Sequence, residues 1–214
     1  NILEPDLFRP PTDAERDEAR ERWDLAPGQT ALILPGRIGL QKHQIGLLLA
    51  MERLVRAGRW PCGAVVLFPG RRRDRKVAWL FDYLRQRPAL APHVRFLDEQ
   101  KDIRSLYWAS DVLVLPSLYE GLSNAALEGC ACGLPAILSH AANIDGIVVP
   151  GETGLEVPTG YVAPLADALE RMLKIPDAER RAMGRRGREH VIARFAPSPT
   201  VTLEQTVAVY EELL

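Results

Sequence analysis

Apolar positions along the chain fall into short continuous runs separated by longer stretches with helical spacing. The runs lie at residues 31–34, 64–68, 94–97, 111–115, 136–138 and 154–157. A short run without alternation predicts a strand buried on both faces. Residues 44–57 carry Leu47, Leu48, Met51, Leu54 and Val55 at helical spacing, and 76–87 carry Val77, Leu80, Phe81 and Leu84. Further helices are predicted at 103–109, 124–132 (stopped by Gly133), 162–173, 178–195 and 202–214. Strands that alternate with helices give an α/β class: a doubly wound, Rossmann-like parallel sheet of about six strands. Ahead of it, Thr12 and Glu15 form a capping box that opens a charged helix to about Trp23, and Ala26-Pro27-Gly28 ends it. The expected organisation is a lead-in segment and helix over 1–28, the Rossmann-like domain over 29–196 and a C-terminal helix over 197–214.

Composition narrows the function. A chain of 214 residues can build a core without disulfides or a structural metal. Lys and Arg number 27 against 28 Asp and Glu, a net charge of −1. That balance argues against a general nucleic-acid or membrane-surface binder, which would carry a large basic excess. No apolar run approaches the ~20 residues of a membrane span, and the polar, proline-rich start is unlike a signal peptide. Three cysteines, Cys62, Cys130 and Cys132, are odd in number and sparse, which predicts reduced thiols and a cytoplasmic setting. The chain opens on Asn1 rather than Met, so the expectation is a piece of something longer.

In doubly wound sheets ligands sit at the carboxyl ends of the strands. The loop after Leu34 reads Pro35-Gly36-Arg37-Ile38-Gly39-Leu40-Gln41-Lys42. Arg37 and Lys42 beside a flexible turn suit a diphosphate, because charge-assisted bonds to phosphate are short and strong; two solvated cations are the plainer alternative. The loop matches neither G-x-x-x-x-G-K-[ST] nor G-x-G-x-x-G. After Leu115 comes Pro116-Ser117-Leu118-Tyr119-Glu120-Gly121-Leu122-Ser123-Asn124-Ala125-Ala126-Leu127-Glu128. Gly121 allows close backbone approach, and a helix that starts around Leu122 to Asn124 offers free N–H groups to an anion. A carboxylate beside a phosphate site needs another task, and accepting hydrogen bonds from sugar hydroxyls is the natural one for Glu120 and Glu128. The alternative is that Glu120 merely favours the helix start and Glu128 lies exposed.

Other constellations are weaker. Gly121-Leu122-Ser123-Asn124-Ala125 approaches a nucleophile elbow but lacks the final Gly. Cys130-x-Cys132 lacks further ligands at metal spacing, so no metal site is expected. The basic triplet Arg71-Arg72-Arg73 and the cluster Arg180, Arg181, Arg185, Arg186 and Arg188 read as solvated surface.

Glu120 and Glu128 also form an E-x7-E pair within PSLYEGLSNAALEGCACGLPAILS, with GRIGLQK upstream. This combination resembles the donor-binding C-terminal half of a GT-B glycosyltransferase of the glycosyl group 1 family, over the whole chain. The resemblance implies a retaining, metal-independent, cofactor-free hexosyltransferase that uses a nucleotide-diphosphate sugar. It implies that Gly36, Arg37 and Lys42 hold the diphosphate and that Glu120 positions the sugar for transfer as the catalytic group. The backbone around Gly121, Leu122, Ser123 and Asn124 would meet phosphates and sugar, Glu128 would hold the ribose, and the base would rest near the loop after Leu97. It further implies an N-terminal Rossmann-like domain elsewhere, which supplies the acceptor site, packs on 197–214 and takes any peripheral membrane contact; this fragment alone would be inactive. Ala142-Asn143-Ile144-Asp145-Gly146 departs from the family's glycine pair and Pro-Glu, so the loop does not identify the sugar. A non-catalytic nucleotide- or sugar-binding partner module and a GT-B nucleotide-sugar epimerase share the same ligand chemistry.

Overall fold

Every predicted run becomes a strand of one parallel sheet in the structure, a computed structural model that describes residues 3–196. The strands are β1 (Thr30–Ile33), β2 (Ala64–Phe68), β3 (Val94–Phe96), β4 (Val112–Leu115), β5 (Ala136–Ser139) and β6 (Gly154–Val157). The helices are α1 (Asp13–Arg22), α2 (Gln44–Arg56), α3 (Arg75–Arg85), α4 (Arg104–Ala109), α5 (Asn124–Ala131), α6 (Val162–Lys174) and α7 (Asp177–Phe195). The helix expected over 202–214, within the 197–214 unit, lies outside the described residues.

The strand order is β3-β2-β1-β4-β5-β6. The chain therefore winds outward from β1 through β2 to β3, then crosses back to β4 and winds the other way. Leu32 and Ile33 of β1 pair with Val112 and Leu113 of β4 at that reversal. Helix α2 packs against α3 and α6, while α1 packs against α4 and α5 against α7. The sheet is thus covered on both faces, which is why β2, β4 and β5 are buried along their whole length, whereas the edge strands β3 and β6 carry Arg95 and Glu156.

Local signals explain most boundaries. Thr12 and Glu15 complete the expected capping box at α1. The Asp74 carboxylate accepts from the amides of Lys76 and Val77, so α3 begins one residue before its apolar pattern. Gly133 takes φ +85, and the amides of Gly133 and Leu134 donate to Cys130 and Gly129, which closes α5. Leu80 departs from expectation: it is 37% exposed, and Ala78 instead joins Phe81 and Leu84 in the core.

The basic run on α7 is only in part a solvated face: Arg181, Arg185 and Arg186 are exposed, but Arg180 and Arg188 are not. Arg180 is buried and donates to the Ile175 carbonyl and to Asp177. Arg188 donates to the carbonyls of Phe8 and Ala131, tying the lead-in to α5. Arg16 likewise binds Asp111 at 2.5 Å, and Asp111 accepts from the Ala31 amide at 2.8 Å. Alpha-helical charge thus serves as structural cross-links, because each guanidinium reaches several carbonyls left open at strand and helix ends.

Two glycines on α7 separate packing from propensity. A Cβ on Gly184 would run into the Gly133 carbonyl, whereas one on Gly187 meets Thr153 at 3.6 Å. Gly184→Ala is expected to lower stability by about 1–3 kcal/mol. Gly187→Ala is expected to raise it by up to ~1 kcal/mol, the usual helix-interior gain. Denaturant unfolding of the two variants checks the pair; equal effects would contradict the close approach of α7 to the 133–135 turn.

Candidate functional site

The loops after β1 and β4 meet at the carboxyl edge of the sheet. Leu118 donates from its amide to the Gln41 carbonyl at 2.8 Å, and Gln41 Nε2 donates to the Tyr119 carbonyl at 3.3 Å. Lys42 Nζ then reaches Glu120 Oε1 at 2.6 Å. The same oxygen accepts from Ser117 Oγ at 2.7 Å, and Gln41 Nε2 lies 3.3 Å from the second oxygen. The Glu120 side chain is only 7% exposed and that of Lys42 only 16%. A carboxylate so withdrawn from water needs donors, and here it has an ammonium, a hydroxyl and an amide.

Glycine makes room for this pair. Gly36 takes φ +134, and a Cβ there would press on the Lys42 side chain at 3.0–3.4 Å. Gly70, in the loop after β2, takes φ +151 and crosses directly over the Gly36 carbonyl. The two turns are laced together: Gly36 N donates to the Pro69 carbonyl and Ile38 N to the Arg71 carbonyl, each at 2.9 Å. Gln44, fully buried at the start of α2, donates to the Arg37 carbonyl at 2.9 Å and holds the loop from inside.

Glu128 lies on α5 with its carboxylate oxygen 3.1 Å from the hydroxyl of the buried Tyr107. Burial pushes the Glu128 carboxyl above the usual carboxylate range, against the opposing effects of the Tyr107 hydrogen bond and the Lys42 charge. Lys42 therefore acts on both glutamates. Arg37 is exposed, and among the described residues its side chain has no hydrogen bond or ion pair. It borders a cavity of about 180 Å³ lined by Pro35, Gly36, Pro69, Gly70, Gln100 and Ile103, at the carboxyl ends of β1, β2 and β3. A larger hollow of about 710 Å³ lies against α1 near Gln29, just before β1, away from all of these residues.

The expected site residues are thus brought together. Gly36, Arg37 and Lys42 stand on one side of the junction and Glu120, Gly121, Leu122 and Ser123 on the other, with Asn124 and Glu128 on α5. Lys42 and Glu120, expected at different parts of a ligand, are paired directly with each other. Ser123 precedes α5, buried, and its Oγ has no hydrogen-bond partner. Among the described residues no base is bonded to it, as a nucleophile elbow would require. Cys130 and Cys132 are buried, with thiols pushed up to about 12 by desolvation. Among the described residues no group of three or more His, Cys, Asp or Glu is placed to hold a metal ion, and no helix is long and apolar enough to cross a membrane.

Sequence reasoning missed Ser117, Ser139 and Tyr107. Ser139 Oγ donates to the Ser117 carbonyl at 2.6 Å, both residues buried, and so fixes the loop after β4 from the end of β5. A serine after a strand is common, and only burial reveals this role. Asn143 in the departing loop is also buried, exchanging bonds with the Val148 carbonyl at 3.0 Å and amide at 2.7 Å.

The family model for glycosyl transferases group 1 matches residues 29–174, more than half of the chain. The chain belongs to the glycosyl transferases group 1 family. Its resemblance to a GT-B half therefore rests on both sequence and fold. A glycogen synthase from Mycobacterium tuberculosis is 31% identical over 175 residues, covering 78% of this chain and 41% of that protein. Anabaena HepE in complex with UDP superposes with a TM-score of 0.85 at 19% identity, over 100% of this chain and 56% of the other. The C-terminal domain of the glycosyl transferase group 1 family protein LpcC from Francisella tularensis gives 0.78 at 20% identity, over 92% of this chain and 100% of that domain. The group 1 chain described here spans about half the length of the curated relatives it matches.

The raised carboxyl of Glu128 has a consequence for stability. A carboxyl raised in the folded state favours folding while protonated; that contribution is complete below the ordinary carboxylate range and is lost as pH rises through the raised value. Glu128→Gln keeps an acceptor for Tyr107 without the charge. It is expected to be more stable than the parent at pH 7, the difference closing toward about pH 4. Unfolding at the two pH values checks this; a variant less stable at pH 7 would show that the carboxylate is not penalised by burial.

Proposed function

We propose that this chain binds the nucleoside diphosphate of a sugar donor across the junction of the β1 and β4 loops. In this reading it is the donor half of a retaining, metal-independent glycosyltransferase of hexosyl type that works in the cytoplasm. The observation that carries the reading is the convergence of Lys42, Glu120 and Glu128 from three separate elements, with Arg37, on the same loop as Lys42, bordering a cavity of about 180 Å³. The complex of HepE with UDP supports a nucleoside diphosphate as the ligand class.

The base occupies the cavity beside Gly70 and Gln100, near the loop after β3. Glu128, oriented by Tyr107, accepts from the ribose hydroxyls. The diphosphate lies between Gly36, Arg37, Lys42 and the amino end of α5 around Gly121, Leu122, Ser123 and Asn124. These cations and dipoles stabilise the charge that grows on the departing diphosphate, which is the work a metal would otherwise do. An arriving diphosphate competes with Glu120 for the Lys42 ammonium. Glu120 retains Ser117 and Gln41 as donors and is left to accept from the donor sugar and position it. The acceptor site belongs to a second Rossmann-like domain outside this chain.

Titration calorimetry with UDP, GDP and ADP, without divalent metal, tests the assignment. One diphosphate is expected to bind, and Arg37→Ala or Lys42→Ala to weaken it by about 1.5–3 kcal/mol each. Unchanged affinity in both variants would remove the diphosphate from this junction. In a longer protein that carries the second domain, Glu120→Gln is expected to keep donor binding and lose most turnover. Turnover equal to the parent would strip Glu120 of its catalytic role.

A further inference from the structure

Helix α3 carries two stripes. The inner one, with Ala78, Phe81 and Leu84, is buried in the core. The outer one is Lys76, Trp79, Leu80 and Tyr83, spaced i, i+3, i+4, i+7 along one face. Trp79 is 68% exposed, Tyr83 58% and Leu80 37%. The Trp79 and Tyr83 rings stack with centroids 5.7 Å apart and planes 8° from parallel. Single exposed apolar residues are ordinary, but three large ones on a face the core does not use mark a surface meant to be covered.

Cations surround that strip. Arg72 is committed to structure: it donates to Asp82 at 2.9 and 3.0 Å and lies 4.0 Å over the Phe96 ring. Arg85 joins the same carboxylate at 2.7 Å. This clamp fixes the 71–75 loop to α3, so the surface is preformed. Among the described residues, Arg73, Arg75 and Lys76 have no ion-pair partner for their side chains. Arg73 and Arg75 border a hollow of about 320 Å³ against Trp79. Asp74 and Asp82 are already engaged, in the helix cap and the clamp.

We infer that the outer face of α3 docks on an anionic lipid surface. Trp79, Leu80 and Tyr83 enter the headgroup boundary, where amphipathic rings settle. Arg73, Arg75 and Lys76 meet the lipid phosphates. The net charge of −1 hides the patch, because the positive charge is local. This surface assigns a membrane contact to the present chain, independently of the donor site.

The test uses the 214-residue chain and sedimented vesicles of phosphatidylcholine, alone or mixed equally with phosphatidylglycerol. Binding is expected to the mixed vesicles only and to weaken with added salt. The double variants Arg73→Glu/Arg75→Glu and Trp79→Ser/Tyr83→Ser are each expected to lower the partition coefficient about tenfold or more. Both alter exposed side chains, so circular dichroism and the unfolding midpoint should match the parent. Three results would overturn the inference. They are no phosphatidylglycerol-dependent binding by the parent, equal binding by both folded variants, or a parent dimer in sedimentation velocity that both variants dissolve.

Discussion

The parallel pairing of β1 with β4 is the constraint from which the site follows. It joins strands that are not neighbours in sequence, with Leu32 beside Val112 and Ile33 beside Leu113. Because the two strands run the same way, their carboxyl ends open side by side. Helices then leave the two strands toward opposite faces, which leaves a crevice between them. Lys42 and Glu120, 78 positions apart, meet across that crevice at 2.6 Å.

The pair is braced by the residues around it. Gln44 braces the loop after β1, and Ser139 fixes the loop after β4 through the Ser117 carbonyl. The crossing of Gly36 and Gly70 leaves space for the Lys42 side chain, which a Cβ would fill. Such bracing matters because a partly buried carboxylate is tolerable only while its donors stay in place. Glu128 shows the cost of that arrangement: its carboxyl is raised by burial even with Tyr107 as a donor.

Cation use divides by reach. Arg16, Arg72, Arg180 and Arg188 spend their guanidinium donors on carbonyls and carboxylates of the fold. Arg37, Arg73 and Arg75 do not, and these stand at the proposed diphosphate site and on the outer face of α3. Composition counts all of them alike, and the sequence reading accordingly placed the α7 arginines in solvent. Likewise the spacing on α3 matched both stripes, and Leu80 fell into the wrong one. A periodic pattern shows that a face is apolar, but not which face the core takes when two compete.

What the chain alone determined is everything set by near neighbours. The apolar runs set strands buried on both faces, Thr12 and Glu15 set the start of α1, and Gly133 set the end of α5. The E-x7-E spacing placed Glu120 just before α5 and Glu128 about one turn into it. Those features depend on backbone preferences and on contacts within a few residues, so they survive in the one-dimensional pattern. Only the tertiary structure decided that Lys42 pairs with Glu120, that Tyr107 orients Glu128, and that Ser117, Ser139 and Gln44 matter. Those are polar contacts between distant segments, and their strength comes from removal of water, which no spacing along the chain records.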